Sequence, residues 1–168
     1  LSIKFLLQYI KAYKDIGTHG VVIAEPAAGL LSPALSGEFS TPYIRQITDA
    51  LQDDDFIVIY HNCGNSVSHM LQGIFSIGAA AYHFGNAVDM AAVMEQAPSD
   101  ILCMGNVDPA GQINQGTPES VRAATLKVME ACHQAPNFVI STGCDIPPMT
   151  PWENIDAFFE AAKEFYAN

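Results

Sequence analysis

Positive charge is scarce in this chain. Seven Lys plus Arg face eighteen Asp plus Glu, a net charge of −11 over 168 residues. A phosphate backbone or an anionic membrane surface would be repelled, which sets nucleic acid aside as a partner. No apolar run reaches the length of a membrane span, and no basic-then-apolar leader opens the sequence. The four cysteines lack the spacing of a small disulfide framework, so a reducing compartment is expected, with the cytoplasm as location. Neither a Gly-rich phosphate loop nor a Gly-x-Ser-x-Gly elbow is present. Asp53-Asp54-Asp55 lacks the spaced oxygens and glycine of a calcium loop and reads as a solvated turn. The chain starts at Leu1 rather than Met, which leads us to expect a processed or trimmed fragment.

What is present is hydrophobic: 49% of the residues, enough for one packed domain over 1–168. Ile3, Leu6, Leu7, Ile10 and Tyr13 make a helical stripe from Leu1 to Ile16. Helices are also expected from Thr41 to Gln52, Ser66 to Ile77, Ala87 to Gln96, Thr117 to His133 and Thr150 to Ala167, three of them opening on Thr-Pro. Between them lie five apolar runs: 20–26, 56–60, 79–84, 101–105 and 137–141. Buried strands alternating with helices imply a parallel sheet covered by helices.

The unusual residues gather at or just after the ends of these runs: Glu25, His61, Cys63, His83, Asn106, Asp108 and Cys144, His83 falling one residue before the end of its run. In a β/α barrel that is the catalytic face, although five strands cannot close an eight-strand barrel. Strand side chains alternate, so His61 and Cys63 point the same way as Ile57 and Ile59. With Cys144, one imidazole and two thiols would meet at one end of the sheet. Three N/S ligands with a fourth position open is the arrangement of a catalytic zinc.

These strand-end motifs resemble the uroporphyrinogen decarboxylase superfamily, and most closely its zinc-dependent methylcobamide:coenzyme M methyltransferase branch. The likeness runs through Glu25-Pro26-Ala27-Ala28-Gly29, Leu31-Ser32-Pro33, Pro42-Tyr43-Ile44 and His61-Asn62-Cys63-Gly64-Asn65. It continues through Gly105-Asn106-Val107-Asp108-Pro109, Gly143-Cys144-Asp145-Ile146-Pro147-Pro148 and Thr150-Pro151-Trp152-Glu153-Asn154-Ile155. The order and spacing of these motifs are more specific than any one of them.

The resemblance implies a (β/α)8 TIM-type barrel, of which this chain would be the C-terminal half, about five βα units. It implies zinc on His61, Cys63 and Cys144, and a methylcorrinoid supplied by a partner corrinoid protein. The methyl acceptor would be a small thiol such as coenzyme M. Decarboxylases usually carry histidine where Cys144 stands and serine where Pro26 stands, and both departures count against porphyrinogen decarboxylation. That activity stays as the alternative, and a non-catalytic half-barrel that binds metal or a partner as another.

Glu25 and His83 are the candidate catalytic residues. Glu25 could displace the substrate thiol or support a ligand histidine, and a salt bridge or helix N-terminal contact is the competing reading. His83 could contact substrate or supply a fourth ligand, against a hydrogen-bonded pocket wall. Asn106 and Asp108 are expected to shape a turn, Asp145 to cap, and Cys103 to be a core residue. The open edges of a five-strand sheet suggest a homo-oligomer.

Overall fold

A computed structural model describes residues 2–167 of the chain. The expected start of the first helix at Leu1 lies outside the described residues. The elements, in order, are α1 (Ser2–Asp15), β1 (Gly20–Ala24), α2 (Pro33–Phe39), α3 (Thr41–Leu51), β2 (Ile57–Asn62), α4 (Leu71–Phe75), β3 (Ala81–Phe84), α5 (Met90–Met94), β4 (Leu102–Val107), α6 (Pro118–Cys132), β5 (Phe138–Thr142) and α7 (Trp152–Ala167). The strands form a five-stranded sheet in the order β1-β2-β3-β4-β5. Strand and helix alternate as in a (β/α)8 barrel, of which the chain carries about five units. No helix among the described residues is long and apolar enough to cross a membrane.

The chain divides into two compact units, one through Tyr82 and the other from His83. In the first, β1 and β2 pair in parallel with Gly20 opposite Ile57 and Ala24 opposite His61. Val58, Tyr60 and Asn62 are buried on one face of β2, beneath a core that includes Ile44, Ile47, Leu51 and Phe56. The other face carries Ile57, Ile59 and His61, level with Gly20, Val22 and Ala24, and here Val22 and Ile57 remain exposed. Lys14 closes the open end of α3 by donating to the Leu51 carbonyl at 2.7 Å and pairing with Asp53.

In the second unit β4 and β5 pair in parallel, Cys103 opposite Phe138 and Val107 opposite Thr142. Val107, Ile113, Val121 and Phe158 form its core, with Val128, Ile140, Ile146 and Ile155 against them. Asn154 ties α7 into this core, its Nδ2 donating to the Ile113 and Gly116 carbonyls, both at 2.9 Å. Thr117 opens α6 with a reciprocal cap to Ser120, and Pro118 supplies a first-turn residue that has no N–H to satisfy.

Several expectations need correction. His61 and Asn106 lie inside strands rather than after them, because the pairing continues through polar residues, while His83 stands one residue before the end of β3, as expected. The helix expected over 66–77 is a 3-10 turn at Val67–His69 followed by the short α4, which has Gly73 at its centre. The helix expected from Ala87 begins only at Met90, because Asp89 caps it by accepting from Ala91 N at 3.0 Å. Helix α2, the 3-10 turn Pro26–Leu30 and the π turn Pro109–Asn114 were not anticipated.

Candidate metal centre

In the first unit the end of β2 and the segment beyond it hold His61 and Cys63, the former buried and the latter half-buried. The His61 carbonyl accepts from Glu25 N at 2.9 Å, fastening the strand end to the residue that closes β1. The neighbours of opposite parity, Tyr60 and Asn62, face the interior and join a polar chain. Asn62 Oδ1 accepts from Gly64 N at 3.0 Å, and Asn62 Nδ2 donates to the Tyr60 hydroxyl at 3.1 Å. The Tyr60 hydroxyl donates to Glu25 Oε2 at 3.0 Å, and Ser40 Oγ donates to the same oxygen at 2.5 Å. Burial first, and then the Glu25 carboxylate, hold the Tyr60 hydroxyl protonated far above the ordinary tyrosine range.

Beyond Cys63 the backbone is pressed against the loop that follows β1. A Cβ built on Gly64 would lie 2.3 Å from Gly29 Cα, and one on Gly29 would lie 2.6 Å from Asn62 Oδ1. Only glycine fits at either place, and Ser66 N donates to the Gly29 carbonyl at 3.2 Å across the same contact.

In the second unit Cys144 follows β5 and is half-buried. The Thr142 hydroxyl donates to the Cys144 carbonyl at 2.9 Å, and Gly143 N donates to the Val107 carbonyl at 2.7 Å. A Cβ on Gly143 would come within 2.5 Å of Asn86 N, so the chain passes closely there too. His83 Nε2 lies 2.7 Å from the Thr142 carbonyl and 3.1 Å from Ser141 Oγ. A carbonyl oxygen only accepts, so Nε2 carries the proton and is not available as a metal ligand. Asn106 Nδ2 donates to the Gly85 and Val88 carbonyls at 3.0 and 2.5 Å, and Asp108 Oδ1 accepts from Ala110 and Gly111 N. Asp108 shapes the turn after β4, as expected, whereas Asn106 lies within β4 and fastens the 85–88 loop instead.

Among the described residues one group of three or more His, Cys, Asp or Glu side chains comes close enough to share an ion. It is His61, Cys63 and Cys144, a group that could hold a metal ion. Two thiolates and an imidazole are the donors that zinc takes, and three leave a fourth position open. Glu25 and His83 are not members of the group. Cys103 is a buried core residue, its thiol pushed up to about 12 by burial. Cys132 is also buried, and burial, then Asp89, raise its thiol.

Tyr60, Asn62, Ser40 and Thr142 are the site neighbours that the pattern of the sequence missed. Their signal was parity: Tyr60 and Asn62 place polar groups on the helix-facing side of an apolar strand, where each needs a partner.

Comparison with known proteins adds ancestry to this geometry. The sequence model of the family described as uroporphyrinogen decarboxylase (URO-D) matches residues 1–165. A methylcobamide:CoM methyltransferase of Methanosarcina mazei is 30% identical over 163 residues, 96% of this chain and 46% of the relative. A chloroplastic uroporphyrinogen decarboxylase of Zea mays is 32% identical over 162 residues, 94% of this chain and 39% of the relative. A solved methyltransferase structure from Methanosarcina mazei superposes with a TM-score of 0.85 at 24% identity, covering 98% of this chain and 47% of that one. The chain thus spans less than half the length of these relatives.

Proposed function

The chain belongs to the uroporphyrinogen decarboxylase family, and on that premise we propose that it serves a zinc-dependent methyltransferase. That enzyme moves a methyl group from a methylcorrinoid, carried by a partner protein, to a small thiol such as coenzyme M. The observation that carries this reading is the His61, Cys63 and Cys144 group, because two sulfurs among three ligands suit a metal that binds a further sulfur. Zinc bound there supplies a Lewis acid that keeps a substrate thiol ionised near neutral pH.

The chain's own residues hold the donors in place. His83 fixes the Thr142 carbonyl and Thr142 in turn holds the Cys144 carbonyl, so the second thiol is set by β5 and by the protonated Nε2 of His83. Glu25 supports the strand that carries His61 and Cys63. The unpaired edges of the sheet favour association with a second copy, and a monodisperse monomer in light scattering would count against that part of the reading.

Zinc content by elemental analysis tests the proposal. Roughly one zinc per wild-type chain is expected, lost or much weakened in Cys144→Ser. A folded full-length wild-type protein that holds no metal sinks the thiol-activation reading. Porphyrinogen turnover without metal would then favour the decarboxylase activity that the name of the Zea mays relative carries.

A further inference from the structure

The hydrogen bonds behind β2 all run one way. Gly64 N–H can only donate, so Asn62 presents Oδ1 to it and turns Nδ2 towards Tyr60. The Tyr60 hydroxyl donates to Glu25 Oε2 and accepts from Asn62 Nδ2. Ser40, at the start of α3, gives its proton to the same carboxylate oxygen. Three donors in series, Gly64 N, Asn62 Nδ2 and the Tyr60 hydroxyl, therefore point at Glu25, each bond polarising the next, and Ser40 meets the same oxygen from α3. The two ends of the relay differ. One is a helix start, and the other is the peptide immediately after Cys63.

We propose that Ser40, Glu25, Tyr60 and Asn62 form a positioning relay that sets the backbone at Cys63 and so aims its thiol. The relay runs on the helix-facing side of β2, opposite to His61, because strand side chains alternate. It acts on Cys63 through the Asn62-to-Gly64 turn, which encloses the cysteine between its two hydrogen-bonded ends. The Gly29 contact leaves that turn no room to drift, so the relay's geometry is passed to the thiol rather than absorbed by slack. Glu25 is on this account a positioning residue. The inference rests on the metal reading above only for its consequence at the ion.

The test uses Tyr60→Phe, Asn62→Ala and the pair Glu25→Ala and Glu25→Gln, with Thr125→Val as a control. Thr125 is equally buried, and its hydroxyl bonds only within α6, to the Val121 carbonyl at 2.8 Å. Each variant is loaded with Co2+, and its thiolate-to-cobalt absorption and its affinity by chelator competition are measured beside urea denaturation. Relay variants are expected to bind about 10–100-fold more weakly with a shifted absorption band. Glu25→Gln, which keeps an acceptor oxygen, should recover part of what Glu25→Ala loses, while Thr125→Val leaves band and affinity unchanged. Wild-type band and affinity in folded Tyr60→Phe and Asn62→Ala would overturn the relay.

A second readout needs no metal: the alkylation rate of Cys63 relative to Cys144, followed by peptide mass. The relay variants should change the Cys63 rate at least severalfold and leave Cys144 alone. If the wild type binds no Co2+, the metal reading fails and this rate alone decides the relay. An unchanged Cys63 rate then refutes it.

Discussion

Replacing Gly64 by alanine would set a methyl group 2.3 Å from Gly29 Cα and 2.9 Å from its carbonyl oxygen. Carbon atoms rest at about 3.5–4.0 Å from one another, so the two loops would have to part by more than ~1 Å. Backbone stands on both sides of the contact, and no rotamer change relieves it. Overpacking costs about 1–3 kcal/mol, and stretching the Ser66-to-Gly29 bond adds about 1 kcal/mol more. Gly64→Ala should therefore lose about 3 kcal/mol. With a urea slope of about 2 kcal/mol/M, the midpoint would fall by about 1.5 M. Gly37→Ala is the matched control: Gly37 sits inside α2 with nothing within 4 Å of a built Cβ. There alanine should gain about 0.5–1 kcal/mol from helix propensity alone. Equilibrium urea denaturation followed by circular dichroism reads both. A Gly64→Ala midpoint within about 0.3 M of wild type would refute the close-contact argument.

Asn154→Ala strands the Ile113 and Gly116 carbonyls, one of them in the core of the second unit, and should cost about 2–3 kcal/mol in the same assay. A loss under about 0.5 kcal/mol would mean that α7 is held by its apolar contacts alone. Alkali offers an independent check, because the Cys103 thiol is raised from 9.0 to about 12 by burial. Below pH 9 the thiol is protonated folded or unfolded, and stability is intact. Above it only the unfolded chain ionises, so this one group removes about 1.4 kcal/mol per pH unit up to pH 12. Urea midpoints at pH 8 and 10.5 should fall less steeply in Cys103→Ala than in wild type, and equal slopes would count against a buried, neutral thiol. The raised Tyr60 hydroxyl acts in the same direction above pH 10 and is common to both proteins.

The five strands were legible because each is an apolar run bounded by turn residues, and α3, α6 and α7 because Thr-Pro marks their starts. Ser32-Pro33 carries the same signal, and Ser32 Oγ accepts from Leu35 N at 3.3 Å, yet α2 has only seven residues and too short an apolar stripe to register. The break at 86–89 comes from bonds made by the Asp89 and Asn106 side chains, which periodicity does not encode, whereas that at 66–70 is a backbone-bonded 3-10 turn. His61, Cys63 and Cys144 could be read because ligand chemistry is a property of residue type and strand position. The bonds to Glu25 and His83 could not, since they depend on Tyr60 and Thr142 arriving from other strands at a particular register.

The order of synthesis gives the two pairings a timetable. β1 and β2 are both complete by Asn62, so the first pair needs nothing that follows it. Cys144 emerges roughly 80 residues after Cys63, a delay of about 4–16 s at ordinary elongation rates of about 5–20 residues per second. During that interval the nascent chain offers an imidazole and one thiol, and a two-donor stub holds an ion far less firmly than a completed set. On the zinc proposal, metal capture would thus wait until β5 has docked on β4. An ion retained at the proposed site would then mark a chain in which β5 has paired with β4.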